Sequence, residues 1–162
     1  MIAAPDRQTP AVTDPTSSAP DLLALESQVC FALAVASRLV IGLYRPVLEP
    51  LGLTHPQYLV MLALWQYEPL SVRRLGELVS LEPATLSPLL KRLEAIGYLH
   101  RTRDVADERS LKVTLTEAGR SLRDRALAVP GTIMAKLELD VDELRDLHAV
   151  LTEVIAHTEG KV

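Results

Sequence analysis

The middle of the chain holds two short stretches of helical period set almost end to end, followed at once by a stretch of period two. Val72, Leu75, Leu78 and Val79 form the apolar stripe of a helix that starts at Ser71. Leu81 and Glu82 turn the chain, Pro83 opens a second helix, and Gly97 closes it. Leu86, Leu89, Leu90, Leu93 and Ile96 follow helical spacing, so one face of that second helix is expected to meet a core. Two short helices joined by so tight a turn make a helix-turn-helix. Tyr98, Leu99 and His100 then read as a strand. Leu111, Val113 and Leu115 alternate with Lys112 and Thr114 as a second, half-buried strand, with residues 104–110 as the polar tip between the two. The expected fold is mainly α with a small β-hairpin wing, a winged helix-turn-helix.

The flanks read differently. Residues 1–20 place Pro5, Pro10, Pro15 and Pro20 among Ser and Thr, the composition of a disordered tail. Asp21 can cap a helix from Leu22 to about Leu48, in which Leu22, Leu25, Val29, Leu33, Leu39, Leu43 and Val47 occupy much of the circumference. Such a helix must bury more than one face, and in a chain of 162 residues a second copy is the natural cover. Pro46 is placed to bend its last turn, and Pro50 with Gly52 ends it. Thr54 caps the next helix, which Glu68 and Pro69 break. Thr116 and Glu117 start another, Pro130 and Gly131 interrupt it, and Asp140 with Glu143 forms a capping box for a last helix to about His157. The expected organisation is a tail (1–20), a dimerisation helix (21–52), a winged helix-turn-helix lobe (53–120) and C-terminal dimerisation helices (121–162).

Composition narrows the function classes. Apolar residues at 48% can fill a core, and 4% aromatics make that core aliphatic. No uninterrupted apolar run reaches the ~18 residues of a membrane span, so no membrane partner is expected. The start of the chain lacks a basic segment followed by an apolar one, and Cys30 is the sole cysteine; a cytoplasmic setting is expected. His55, His100, His148 and His157 lack metal-ligand spacing, and there is no Gly-rich phosphate loop or Ser/His/Asp set, so neither a cofactor nor an enzyme is expected. A thiol peroxidase built on Cys30 would also lack a second cysteine for recycling.

The formal net charge is −4, yet residues 71–120 hold nine Lys/Arg against seven Asp/Glu, a net of +2 on an acidic background. Within that window the helix from Pro83 to Ile96 turns Ala84, Thr85, Ser87, Pro88, Lys91 and Arg92 away from its apolar stripe. Small and hydroxylic residues near its start allow close groove approach, and cations further along meet phosphates. A plain solvated face is the alternative, and Pro88, costly inside a helix, speaks against it. Arg109 on the hairpin tip has the chemistry to enter a minor groove, or it belongs to a solvated charged turn.

Residues 103–109 (Arg-Asp-Val-Ala-Asp-Glu-Arg) and 113–119 (Val-Thr-Leu-Thr-Glu-Ala-Gly) resemble the wing signature of the MarR family. The resemblance extends in order over roughly residues 22–158. It implies a homodimeric regulator on inverted-repeat double-stranded DNA, with recognition-helix roles for Thr85, Ser87, Pro88, Lys91 and Arg92 and a wing role for Arg109. The stretches 30–33 (Cys-Phe-Ala-Leu), 36–38 (Ala-Ser-Arg), 43–46 (Leu-Tyr-Arg-Pro) and 50–54 (Pro-Leu-Gly-Leu-Thr) are similar to one branch, the organic hydroperoxide resistance regulators. That branch implies a repressor in which Cys30 senses organic hydroperoxide; with no second cysteine in the sequence, the resulting sulfenic acid would need a small thiol, another subunit's Cys30 or a backbone nitrogen to complete the reaction.

Taken alone, a single cysteine on an apolar helix reads as a buried hydrophobe. Tyr44 falls fourteen residues after Cys30, within about 40° of the same helix face but about 21 Å further along. The two can meet only across a two-fold axis, and the resemblance implies that cross-subunit hydrogen bond. The branch usually has Thr-Tyr-Pro-Gln-Tyr where this chain has His55 between Thr54 and Pro56. His55 either donates to the thiolate, more strongly when protonated, or is an exposed first-turn residue. The alternative function is a regulator of the same family released from DNA by a small organic ligand, with Cys30 only structural.

Overall fold

The computed structural model of the chain describes residues 23–103 and 111–158. The expected tail, the Asp21 cap and the wing tip with Arg109 lie outside the described residues. The helices are α1 (Val29–Leu48), α2 (His55–Tyr67), α3 (Val72–Val79), α4 (Pro83–Ile96), α5 (Glu117–Ala126), α6 (Val129–Leu137) and α7 (Val141–Thr158). The strands are β1 (Leu70–Ser71), β2 (Leu99–Arg103) and β3 (Leu111–Leu115). The chain divides between Ser37 and Arg38 into two compact units.

In the first unit a 3-10 turn, Leu25–Ser27, precedes α1. This corrects the expectation of one helix from Leu22: Ala24 and Gln28 are extended on either side of the turn, so the α-helix begins only at Val29. Val29, Phe31 and Leu33 are exposed. The helix and the turn that follows it, Val29–Leu51, span 23 residues and contain an 18-residue window of mean hydropathy 1.5, long and apolar enough to cross a membrane by length and composition alone. The expectation from uninterrupted apolar runs missed this, because Arg38 and Arg45 interrupt the run without lowering its mean enough.

In the second unit the core is aliphatic, as the composition requires. Leu48, Met61, Leu64, Leu75, Leu86, Leu90, Leu93, Leu99 and Val113 are fully enclosed. Thr54 precedes α2, and the Gln57 side chain reaches back to accept the Thr54 N–H at 2.8 Å. Ser71 caps α3 by accepting from the Arg74 N–H at 3.1 Å. Ser80, in the left-handed region at φ 50°, ends α3 and leads through Leu81 and Glu82 to Pro83, the first residue of α4. Gly97, at φ 91°, ends α4 with the Tyr98 N–H on the Leu93 carbonyl at 3.0 Å.

The wing has one strand more than the sequence shows. β1 pairs antiparallel with β3 (Leu70 opposite Val113), giving the order β1-β3-β2. Two residues are too few to display a period, so the expected two-stranded hairpin is corrected to a three-stranded sheet. β2 and β3 pair in full register from Leu99 opposite Leu115 to Arg103 opposite Leu111. The interruption expected at Pro130 is present: α5 ends at Ala126, and Pro130 lies in the first turn of α6. The Asp140 box is present: its carboxylate accepts from the Asp142 and Glu143 N–H groups at 2.8 and 2.9 Å, and Glu143 accepts the Asp140 N–H at 2.9 Å.

α5 is fastened to the wing where its first turn crosses Gly97 and Tyr98. Thr116 caps α5 through the Gly119 N–H (3.0 Å) and donates its hydroxyl to the Gly97 carbonyl (2.6 Å), while its own N–H meets the Tyr98 carbonyl (3.1 Å). Trp65 donates to the Gly119 carbonyl at 2.8 Å. A Cβ on Gly119 would lie 2.0 Å from the Tyr98 carbonyl oxygen, inside any tolerable contact with backbone. We expect Gly119→Ala to cost about 2–4 kcal/mol, since neither backbone can yield without breaking these bonds. Urea unfolding of the two proteins, with unchanged m, measures it.

Candidate nucleic-acid interface and thiol site

The apolar stripe of α4 fixes which residues the helix presents outward. Leu86, Leu90 and Leu93 are buried, and Leu89 is half-buried. Ile96 is 47% exposed, which corrects its expected place in the core: Gly97 turns the chain away before the last helical residue is covered. Ala84, Thr85, Ser87, Pro88, Lys91 and Arg92 are all exposed and share the opposite face. α4 runs unbroken through Pro88, a position that costs on the order of 3 kcal/mol in a helix interior. Arg73, Arg74, Arg101, Arg120 and Arg145 are in ion pairs, whereas Lys91 and Arg92 have no acidic partner among the described residues. Their charge is open to an external anion.

The flanks of this face are braced. Arg73 and Arg74 both pair with Glu77 at 3.1 Å, and these bonds, Arg74's first, hold the Glu77 carboxyl below the usual range. Glu94 accepts from the Arg101 backbone N–H at 3.0 Å and from its guanidinium Nε at 2.9 Å, tying α4 to β2. The Arg101 side-chain bond leads the causes that keep Glu94 below the usual carboxylate range. Glu68 accepts from the Leu115 N–H (2.8 Å) and from Arg120 (2.9 Å), so α2, β3 and α5 close on one carboxylate. Tyr98 donates its hydroxyl to the Leu51 carbonyl (3.0 Å), and Arg125 donates to the Pro50 carbonyl (2.6 Å). The end of α1 is thereby bonded to the residue that follows the α4 cap and to α5. Sequence reasoning missed these braces because each joins residues far apart in the chain.

Cys30 lies in the first unit and is exposed, which corrects the reading of a buried hydrophobe. Tyr44 and His55 belong to the second unit and touch: their ring centroids are 4.7 Å apart at 65°. Tyr58 continues the series, 6.1 Å from Tyr44 and 6.4 Å from Trp65. His55 is half-buried as the first residue of α2, so it is not the exposed first-turn residue of the second expectation. Burial pushes its imidazole below the ordinary 6.5, which favours the neutral ring. Burial raises the Tyr44 phenol, and burial followed by Tyr44 raises Tyr58, so both remain donors. Among the described residues no group of His, Cys, Asp or Glu could hold a metal ion.

The transcriptional regulator SarA/Rot family matches residues 42–126. The organic hydroperoxide resistance transcriptional regulator of Bacillus subtilis is 41% identical over 131 residues, covering 81% of this chain and 89% of its own. Reduced AbfR bound to DNA superposes with a TM-score of 0.68 at 35% identity, over 82% of this chain and 93% of that one; AbfR is from Staphylococcus epidermidis. Disulfide-formed AbfR superposes with a TM-score of 0.59 at 34% identity, over 81% and 92%. This chain belongs to the MarR/SarA family of winged-helix transcriptional regulators. Within it, the regulator falls on the organic hydroperoxide resistance branch. It is a DNA-binding regulator, and its relatives are regulators rather than enzymes.

The state of His55 gives the regulator a pH signature. The unfolded chain binds a proton at 6.5 that the folded ring takes up only at lower pH, so between these values unfolding gains protons. The His55 contribution to stability is therefore fully present above 6.5 and declines as pH falls below it. We expect His55→Gln to flatten this part of the curve between pH 7.5 and 5.5, read as the difference in Tm between the two proteins across that window. Parallel curves for variant and parent would show that His55 is solvated in both states.

Proposed function

We propose that the regulator is a cytoplasmic homodimeric repressor that holds an inverted-repeat operator and releases it when an organic hydroperoxide oxidises Cys30. The observation that carries this reading is the exposed, solitary cysteine in a chain so similar to an organic hydroperoxide resistance regulator. α4 supplies the groove-reading face through Thr85, Ser87 and Pro88, with Lys91 and Arg92 on phosphates and Arg109 in the adjacent minor groove. In the dimer, Tyr44 and neutral His55 of one subunit donate hydrogen bonds to the Cys30 thiolate of the other, which favours the nucleophilic form.

The thiolate sulfur attacks the distal peroxide oxygen, the O–O bond breaks, and the alkoxide leaves as alcohol after protonation. Cys30 becomes a sulfenic acid. A small thiol then displaces water from it, giving a mixed disulfide. The added group no longer fits between subunits, and the two α4 helices leave the ~34 Å spacing of successive major grooves. The bonds from Tyr98 to Leu51 and from Arg125 to Pro50 offer the route from α1 to α4.

Dimerisation rests on apolar faces that the single chain leaves open. Leu144, Leu147, Leu151 and Val154 recur on α7 at alternating threes and fours, and Leu147 and Val154 are exposed. We read α1 as a partner for such a face and not as a membrane span, because Arg38 near its middle would cost about 2.5–3.5 kcal/mol in hydrocarbon. We expect the double variant Leu147→Glu, Val154→Glu to sediment as a monomer and to bind operator DNA at least about tenfold more weakly. A dimer of unchanged affinity would place the interface elsewhere.

The deciding experiment uses duplex DNA from the regulator's own upstream region. The reduced protein should bind tightly, cumene hydroperoxide with a small thiol should weaken binding at least about tenfold, and Cys30→Ser should not respond. A second reading is favoured by a groove of about 440 Å3 on α2 and α5, lined by Tyr58, Leu62, Trp65, Arg123, Leu127 and Pro130. Its aromatic and cationic lining suits a small organic ligand. Release of Cys30→Ser from DNA by such a ligand, with indifference to peroxide, would select it.

A further inference from the structure

We infer that Pro88 makes the regulator a reader of one base amino group, because it frees the main-chain carbonyl of Ala84 as an acceptor on the exposed face of α4. This deepens the proposed DNA-reading role of that face and rests on it. α4 is helical from Pro83 to Ile96, so the Ala84 carbonyl is the acceptor that residue 88 would satisfy in an ordinary helix. Proline has no N–H, and its ring crowds the carbonyl four residues before it, tilting that carbonyl away from the helix axis. Ala84 and Pro88 are both exposed, and Leu86 and Leu90, which hold the other face in the core, are buried. Lacking the residue-88 N–H, that carbonyl belongs to the exposed stretch that also carries the hydroxyls of Thr85 and Ser87.

An unpaired carbonyl that enters a major groove must find a donor there. Phosphates offer only acceptors, so this oxygen adds nothing to backbone binding. The groove edge offers donors at two places, the N4 amino group of cytosine and the N6 amino group of adenine. Guanine presents only acceptors on that edge and is disfavoured opposite the carbonyl. The proline thus costs helix stability and supplies base discrimination in a place where most side chains would restore the N–H and silence the acceptor.

The test takes duplexes selected by the full-length reduced protein from a random library. Each adenine is replaced in turn by purine and each cytosine by 2-pyrimidinone, which removes one amino group at a time. Wild type is expected to lose about five- to tenfold in affinity at one position per half-site. Pro88→Ala and Pro88→Val, which restore the N–H, should be indifferent to that same replacement while melting at a higher temperature and keeping the wild-type salt slope. Valine separates the carbonyl from the apolar bulk of the ring. Retained discrimination in either variant would overturn the proposal, as would a wild-type profile with no sensitive position. If wild type itself binds duplex DNA without a steep salt dependence, the groove-reading role of α4 fails, and this inference with it.

Discussion

The carbonyl of Tyr98 and the absent side chain of Gly119 hold this fold in register. At that crossing the end of α4, the start of β2 and the first turn of α5 approach within backbone contact, where a Cβ would stand 2.0 Å from the carbonyl oxygen. Three hydrogen bonds meet there: Thr116 N–H to Tyr98, the Thr116 hydroxyl to Gly97, and Trp65 to Gly119. Each joins elements from different parts of the chain, so none survives a shift of one element alone. α4, the sheet and α5 consequently form one body with little freedom to flex internally. A regulator that must change its grip on DNA can do so by moving such bodies, since a packed core does not deform continuously.

The polar braces around this body are of one kind. Glu68 and Glu94 are only partly exposed, and each carboxylate accepts both a backbone N–H and a guanidinium. Removing one partner would leave the other hydrogen bonds in place but less well aligned, which is why such carboxylates set geometry more than they add stability. The exposed pairs of Arg73 and Arg74 with Glu77 add little to stability, and they partly offset the cations flanking α4. Lys91 and Arg92, without an acidic partner among the described residues, are then the cations of α4 itself that an external anion meets first.

Much of this was legible in the sequence, and the exceptions have physical causes. The helical stripe of Leu86, Leu90 and Leu93 and the alternation of Val113 and Leu115 identify α4 and β3, because one face of each is buried and the other is not. β1 is invisible, since two residues cannot show a period, and its pairing is set by β3. Gly119 stands out only through a family signature, because the contact that demands it lies on a segment twenty-one residues away. His55 was ambiguous for a similar reason: whether a first-turn imidazole is solvated depends on Tyr44, which comes from another helix. Periodicity reports burial along one element, and it carries no information about which other element provides the cover.

The same contrast separates the stable part of the chain from the part suited to switching. Apart from Leu48, no residue of α1 is buried, and α7 has none, whereas α2 to α6 with the sheet close a continuous core. In the proposed dimer a second copy covers this apolar surface, and the order of those helices is then linked to association. Cys30 is carried on α1 and is exposed. On the proposed reading, chemistry at that cysteine acts on the interface, where a change of one or two kcal/mol shifts a population, and leaves the winged helix intact. Had the thiol been placed among Leu86, Leu90 and Val113, the same modification would have unfolded the reader instead of moving it.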